Sequence, residues 1–133
     1  MSGWEERAHT ADIAIHVWGD SLADLFVQAA KGMFGVMASE GDSVRTEITV
    51  VLEAEDEVAL LVDWLNELLY LSEREQMIFC DVTLEEMAPT RLRAKVRGCS
   101  IEEIDEHIKA ATYHMLSITP TNGGYEAEIV FDV

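Results

Sequence analysis

The side chains best suited to chemistry are acids close to the two ends of the sequence. Asp12 follows His9-Thr10-Ala11, so an imidazole and a carboxylate stand three residues apart just before an alternating apolar stretch. At the other end Asp132 directly precedes Val133, whose terminal carboxylate adds a second acid after a strand-like run. Such groups are hard oxygen donors. They suit calcium or magnesium, each of which needs several oxygen ligands completed by backbone carbonyls or water. With 26 acidic residues in the chain, spacing alone favours reading two distant aspartates as unrelated solvated acids, with a shared cation site as the lesser reading.

Other chemistries have less support. There is no Gly-x-Gly-x-x-Gly, no Walker pattern and no Gly-x-Ser-x-Gly elbow, so nucleotide hydrolysis and acyl transfer have no motif. His9, His16, His107 and His114 include no His-x-x-x-His pair, and Cys80 and Cys99 no Cys-x-x-Cys; a zinc cage would have to be assembled from distant elements. The two cysteines read as buried reduced thiols rather than a disulfide. His114, within Lys109-Ala110-Ala111-Thr112-Tyr113-His114, reads as a hydrogen-bonded core histidine. The formal net charge of -17 disfavours direct nucleic-acid binding, which gains affinity by neutralising phosphates. It suits a basic protein partner or a cation, or simply solubility.

These residues must be positioned by one domain, 1–133, long enough to bury its own core. No apolar run approaches a membrane span, and the start Met1-Ser2-Gly3-Trp4-Glu5-Glu6 lacks a secretory pattern, which argues for the cytoplasm. Residues 3–8 read as a strand, and Ile13, Ile15 and Val17 alternate with Ala14, His16 and Trp18 in a second. Ser21 with Asp24 is a capping-box variant opening a helix whose core face is Leu22, Leu25, Phe26, Ala29, Ala30, Met33 and Phe34. That helix reaches Met37, before Ser39-Glu40-Gly41. A strand follows over 46–54, and Asp56 opens a second helix to about Arg74, apolar around most of its circumference and therefore central. Its polar stripe, Asp63, Asn66, Glu67, Tyr70 and Arg74, reads as the hydrated side, the alternative being the edge of a functional groove.

Strands over 77–86 and 91–98 flank a turn at Met87-Ala88-Pro89-Thr90. Arg91, Arg93, Lys95 and Arg97 share one face opposite Asp81, Thr83 and Glu85, which predicts cross-strand ion pairs rather than an RNA patch. Ser100 with Glu103 predicts a short helix over 101–106, and strands over 108–119 and 125–133 flank the Asn122-Gly123 turn. The sum is an α+β domain, with two main helices packed on an antiparallel or mixed sheet of about six or seven strands.

Four blocks of this sequence, taken together, resemble the archease family. They are His9-Thr10-Ala11-Asp12 with Gly19-Asp20-Ser21-Leu22 and the following helix through Phe26-Val27-Gln28-Ala29-Ala30; Asp63-Trp64-Leu65-Asn66-Glu67-Leu68-Leu69-Tyr70; Ile108 through His114; and Val130-Phe131-Asp132-Val133. The blocks stand in the family's order and span essentially the whole chain. The resemblance implies the archease fold and a non-catalytic accessory protein for the RtcB-type tRNA-splicing RNA ligase, which joins RNA ends using GTP and divalent metal. Its implied action is to promote guanylation and multiple turnover of that ligase, with RNA met only indirectly. It implies a cation, calcium with magnesium or manganese as alternatives, held by Asp12, Asp132 and Val133 and brought near the ligase's metal-bearing active site. His9, Asp63, Glu67 and His114 would be supporting or docking groups. A monomer or weak oligomer acting away from membranes is expected. A chaperone-like modulator of RNA-modifying enzymes, such as tRNA methyltransferases, is a second implied reading; apart from the resemblance, a small metal-dependent hydrolase is a third reading.

Overall fold

Side-chain caps start both helices in the computed structural model, which describes residues 1–7 and 12–133. The Asp24 amide donates to Ser21 Oγ (3.1 Å) while the Asp20 amide donates to the Asp24 carboxylate (2.9 Å), so one amide in the first turn and one just ahead of the helix are satisfied reciprocally. The helix α1 (Leu22–Met37) follows. Burial works against ionisation of Asp24, but hydrogen bonds from Asp20, Gln28 and Ser2 and the charge of Lys31 outweigh it and hold the carboxyl below its ordinary pKa. Asp56 caps α2 (Glu57–Glu75) by accepting from the Ala59 amide at 2.8 Å. Gln76, at φ 55°, ends it, with the Met77 amide donating to the Ser72 carbonyl at 3.2 Å.

The strands of the described residues form two antiparallel sheets. One holds β1 (Gly3–Arg7), β2 (Ile13–Gly19), β8 (Gly124–Asp132) and β6 (Ala110–Ala111) in that order, with β7 (Ile118–Thr121) also on β8. The other has the order β3 (Ala38–Glu53), β5 (Arg91–Ile104), β4 (Ile78–Ala88). The helix α1 packs on β2 of the first sheet and β4 of the second, so it bridges them; α2 lies against α1 and β6. Trp64, fully buried, donates its indole N–H to the Phe26 carbonyl at 3.0 Å and ties the helices together. Leu60, Leu61, Leu65 and Leu68 of α2 are also fully buried, as its all-round apolar pattern predicts.

The α+β class stands, with eight strands among the described residues. The added strand comes from the 108–119 run, which is not continuous: only Ala110–Ala111 and Ile118–Thr121 pair, and between them Met115 takes φ 51° and the Leu116 amide donates to the Tyr113 carbonyl. The predicted helix over 101–106 does not form. Its first residues prolong β5 against the start of β3 (Ala38↔Ile104, Glu40↔Ile101), and the Asp105 and Glu106 amides both donate to the Met37 carbonyl. Strand pairing satisfies those backbone groups better than a helix of barely more than one turn. The strand predicted at 46–54 likewise begins earlier, at Ala38, and absorbs Ser39-Glu40-Gly41 through register shifts.

The basic face pairs as expected and on both flanks. Arg93 and Lys95 meet Glu85 at 3.2 and 3.5 Å, Arg97 meets Asp81 at 3.4 Å and Glu47 at 3.6 Å, and Arg91 meets Glu53 at 3.2 Å. The cysteines depart from expectation. Cys80 is the extra residue of a bulge between Phe79↔Gly98 and Asp81↔Arg97, and it is disulfide-bonded to Cys99 across β4 and β5 with a Cα–Cα distance of 6.0 Å. The bulge brings the two side chains together, so cysteine usage no longer argues for a reducing compartment.

Because α2 is seated by its interior and started by its cap, two substitutions separate these contributions. Asp56→Ala should lower unfolding free energy by about 1 kcal/mol and Trp64→Ala by about 3–5 kcal/mol, as read by urea denaturation.

Candidate cation site at the paired chain ends

Antiparallel pairing of β2 with β8 brings the two acidic ends together. The register runs Ile13↔Phe131, Ala14↔Val130, Ile15↔Ile129; continued one residue past Ile13, it sets Asp12 against Asp132. This placement follows from alternating apolar residues on each strand, since Ile15, Val17, Ala127, Ile129 and Phe131 are all buried and a one-residue slip would turn them outward. Asp12 is half-buried; Asp132 and Val133 are exposed.

The far side of β8 is equally constrained. Ala110 pairs with Asp132 and Ala111 with Phe131, and the Lys109 amide donates to the Asp132 carbonyl at 2.8 Å. Thr112 donates to the Val130 carbonyl through both its amide (3.0 Å) and its hydroxyl (2.8 Å). Asn66, on α2, clamps the short β6 strand: its Nδ2 donates to the Ala111 carbonyl at 3.2 Å and its Oδ1 accepts from the Ala111 amide at 2.8 Å. The backbone of Asp132 is thus held by Lys109 and Ala110 while the residue stays exposed. Asp12 and Asp132, with the main-chain end at Val133, would offer a cation oxygen donors alone. The residues present therefore fit calcium or magnesium and not a thiophilic metal.

The other expected site residues are dispersed. His9 lies outside the described residues. Asp63 is exposed and Glu67 half-buried on α2; desolvation, with the added charges of Asp63, Asp56 and Glu55, raises the pKa of the exposed Tyr113 above the ordinary phenol value. His114 is not a core residue. It sits exposed in the turn at Met115, its amide donating to Thr112 Oγ1 at 3.3 Å, because the strand on which it was placed breaks there. The polar stripe of α2 divides accordingly: Asp63, Tyr70 and Arg74 are exposed, whereas Asn66, expected on the hydrated side with them, is instead a structural clamp on β6. An asparagine within a strongly apolar helix is the available signal, since its amide offers one donor and one acceptor group to a strand edge.

Residues 4–133 match the family model described as the Archease protein family (MTH1598/TM1083). The chain belongs to the archease family. Protein archease of Methanopyrus kandleri is 38% identical over 140 residues, covering 98% of this chain and 99% of that protein. Protein archease of Archaeoglobus fulgidus is 37% identical over 130 residues, covering 94% and 95%. The solution structure of Methanobacterium thermoautotrophicum protein 1598 superposes with a TM-score of 0.74 at 29% identity, over 98% of this chain and 99% of that one. The crystal structure of a Thermotoga maritima archease, described as a possible chaperone, shares the fold with a TM-score of 0.69 at 21% identity, over 97% and 96%.

Asn66→Ala should cost about 1–3 kcal/mol by leaving the Ala111 peptide groups unpaired, and it should speed hydrogen exchange of the Ala111 amide relative to the β2–β8 amides. The Tyr113 phenol should ionise at higher pH than an unperturbed tyrosine, and Asp63→Asn should bring that transition down; ultraviolet titration of phenolate formation checks both.

Proposed function

We propose that this archease-family chain is a non-catalytic accessory protein that activates an RtcB-type tRNA-splicing RNA ligase. In this reading Asp12, Asp132 and the terminal carboxylate of Val133 bind a divalent cation, calcium first with magnesium or manganese as alternatives, and present it near the ligase's guanylation site. The observation that supports it is the β2–β8 register, whose last pair Ile13↔Phe131 stands one residue from Asp12 and from Asp132. Family membership adds the accessory role, since the relatives bear the name archease rather than that of an enzyme. A cation held there supplies positive charge at a phosphate-rich reaction centre.

The chain's own residues do the rest. Asn66 and the Lys109 amide keep the end of β8 in place, so the carboxylates meet a cation already positioned. The net charge of -17 steers the protein toward a basic ligase surface, with RNA contacted only through the ligase. His9, Asp63, Glu67 and His114 serve as supporting or docking groups. The protein acts in the cytoplasm as a monomer or weak oligomer.

A chaperone-like modulator of RNA-modifying enzymes, such as tRNA methyltransferases, is the second reading. It is favoured by the description of the Thermotoga maritima structure as a possible chaperone.

Wild-type protein should support multiple-turnover ligation by the cognate ligase, and Asp12→Ala or Asp132→Ala should reduce it to the level of ligase alone; undiminished stimulation by both variants would overturn the cation role. Calorimetric titration with calcium should show a saturable site in wild type that Asp132→Ala loses. Affinity capture that enriches a methyltransferase and no ligase would favour the second reading.

A further inference from the structure

The three-stranded sheet carries a second set of metal-ligating atoms, of different chemistry. One carboxylate oxygen of Glu40 and the sulfurs of Cys80 and Cys99 all lie within 4.8 Å of one another, and Cys99 Sγ is 3.8 Å from Glu40 Oε2. Each comes from a different strand. Glu40 lies on β3 where it pairs with Ile101 of β5, Cys80 occupies the bulge of β4, and Cys99 lies on β5 opposite Ile78. Cys99 is 1% exposed, whereas Glu40 is exposed and Cys80 half-buried, so the cluster has a protected base and an open side. A tetrahedral zinc with Zn–S bonds of about 2.3 Å and a Zn–O bond of about 2.0–2.2 Å holds its ligand atoms about 3.5–3.8 Å apart. The Glu40–Cys99 separation already meets that spacing, and reduction lets the two sulfurs part to reach it.

We propose that the reduced Cys80–Cys99 pair and Glu40 form a binding site for a thiophilic divalent cation of the zinc class, with the disulfide as its closed form. Opening takes a two-electron reductant, and a dithiol is the thiol-exchange case. The dithiol delivers two electrons and two protons, the S–S bond breaks, both cysteines become thiols and the reductant leaves as its own disulfide. Metal binding then displaces the two thiol protons, leaving two thiolates and one carboxylate on the ion and a fourth position for water. That ligand set carries one more negative charge than the ion neutralises. Lys31 lines a cleft of about 320 Å³ with Glu40 and Cys80 and offsets it, while Phe34, Ile78 and Phe79 form the apolar part of its wall. The sulfur donors separate this site from the all-oxygen pair Asp12 and Asp132, so the two select different cations.

The test titrates cadmium into protein reduced with a phosphine and handled without oxygen, reading the thiolate-to-cadmium charge-transfer band, to which an oxygen site is silent. Reduced wild type should develop the band to saturation at one equivalent, and zinc should compete it away. Cys80→Ser and oxidised wild type, which keeps the native sequence, should both lack it. Glu40→Gln, a substitution at an exposed position, should retain the band with affinity weakened roughly tenfold or more, the scale on which even an outer-shell partner of a metal ligand acts. The site is overturned if reduced wild type gives no band or if oxidised wild type gives the same one. Unchanged cadmium affinity in Glu40→Gln overturns the three-ligand assignment.

Discussion

Pairing of β2 with β8 is the constraint on which the rest of this molecule depends. It joins residues near one end of the chain to residues near the other, so the chain must close a loop of almost its whole length before the contact forms, at a conformational-entropy cost that grows with loop length. Burial offsets that cost. Ile15 and Val17 on one strand and Ala127, Ile129 and Phe131 on the other are all buried in the common core. The strand β8 also carries β7 and β6 along its other edge, so the last strand of the chain organises the whole sheet, and the acidic residues beyond the pairing inherit its register.

The two helices translate that register into a rigid platform. The first bridges both sheets, and the second is locked to it by the Trp64 indole and to β6 by Asn66. A hydrogen-bonding fork from a buried helix to a two-residue strand is an economical clamp, because it satisfies both backbone groups of Ala111 where the sheet would otherwise fray. The platform holds the main chain of Asp132 while leaving its carboxylate in solvent.

Charge is distributed with similar division of labour. Arg91, Arg93, Lys95 and Arg97 are all committed to carboxylates on the neighbouring strands β3 and β4. Exposed pairs of this kind add little stability, but they remove most of the chain's concentrated positive charge from the external field. With 26 acidic against nine basic residues, what remains is a surface of nearly uniform sign. Such a surface suits cations and basic protein faces and opposes phosphate backbones.

Much of this architecture was legible in the chain because it depends on local chemistry. Ser21 with Asp24 and Asp56 with its following amides specify where helices begin; the apolar period of 22–37 and the all-round apolarity of α2 specify what they bury; alternation on β2 and β8 specifies two half-buried strands. The acids at Asp12 and Asp132 were visible as oxygen donors, but only the register showed that each adjoins the facing pair Ile13↔Phe131. Local signals failed where long-range pairing competed with them. The 101–106 segment, helical by its capping signature, joins β3 instead; the 108–119 strand breaks where Met115 turns the chain, which carries His114 out of the core; and a bulge on β4 brings Cys80 to Cys99. Short-range propensities amount to tenths of a kcal/mol per residue, whereas unpaired backbone groups at a buried strand edge cost about 1–3 kcal/mol each. Sequence by itself determined the elements and the donor types; which of those donors meet was decided by tertiary pairing, because contact between residues distant in the chain is a property of register.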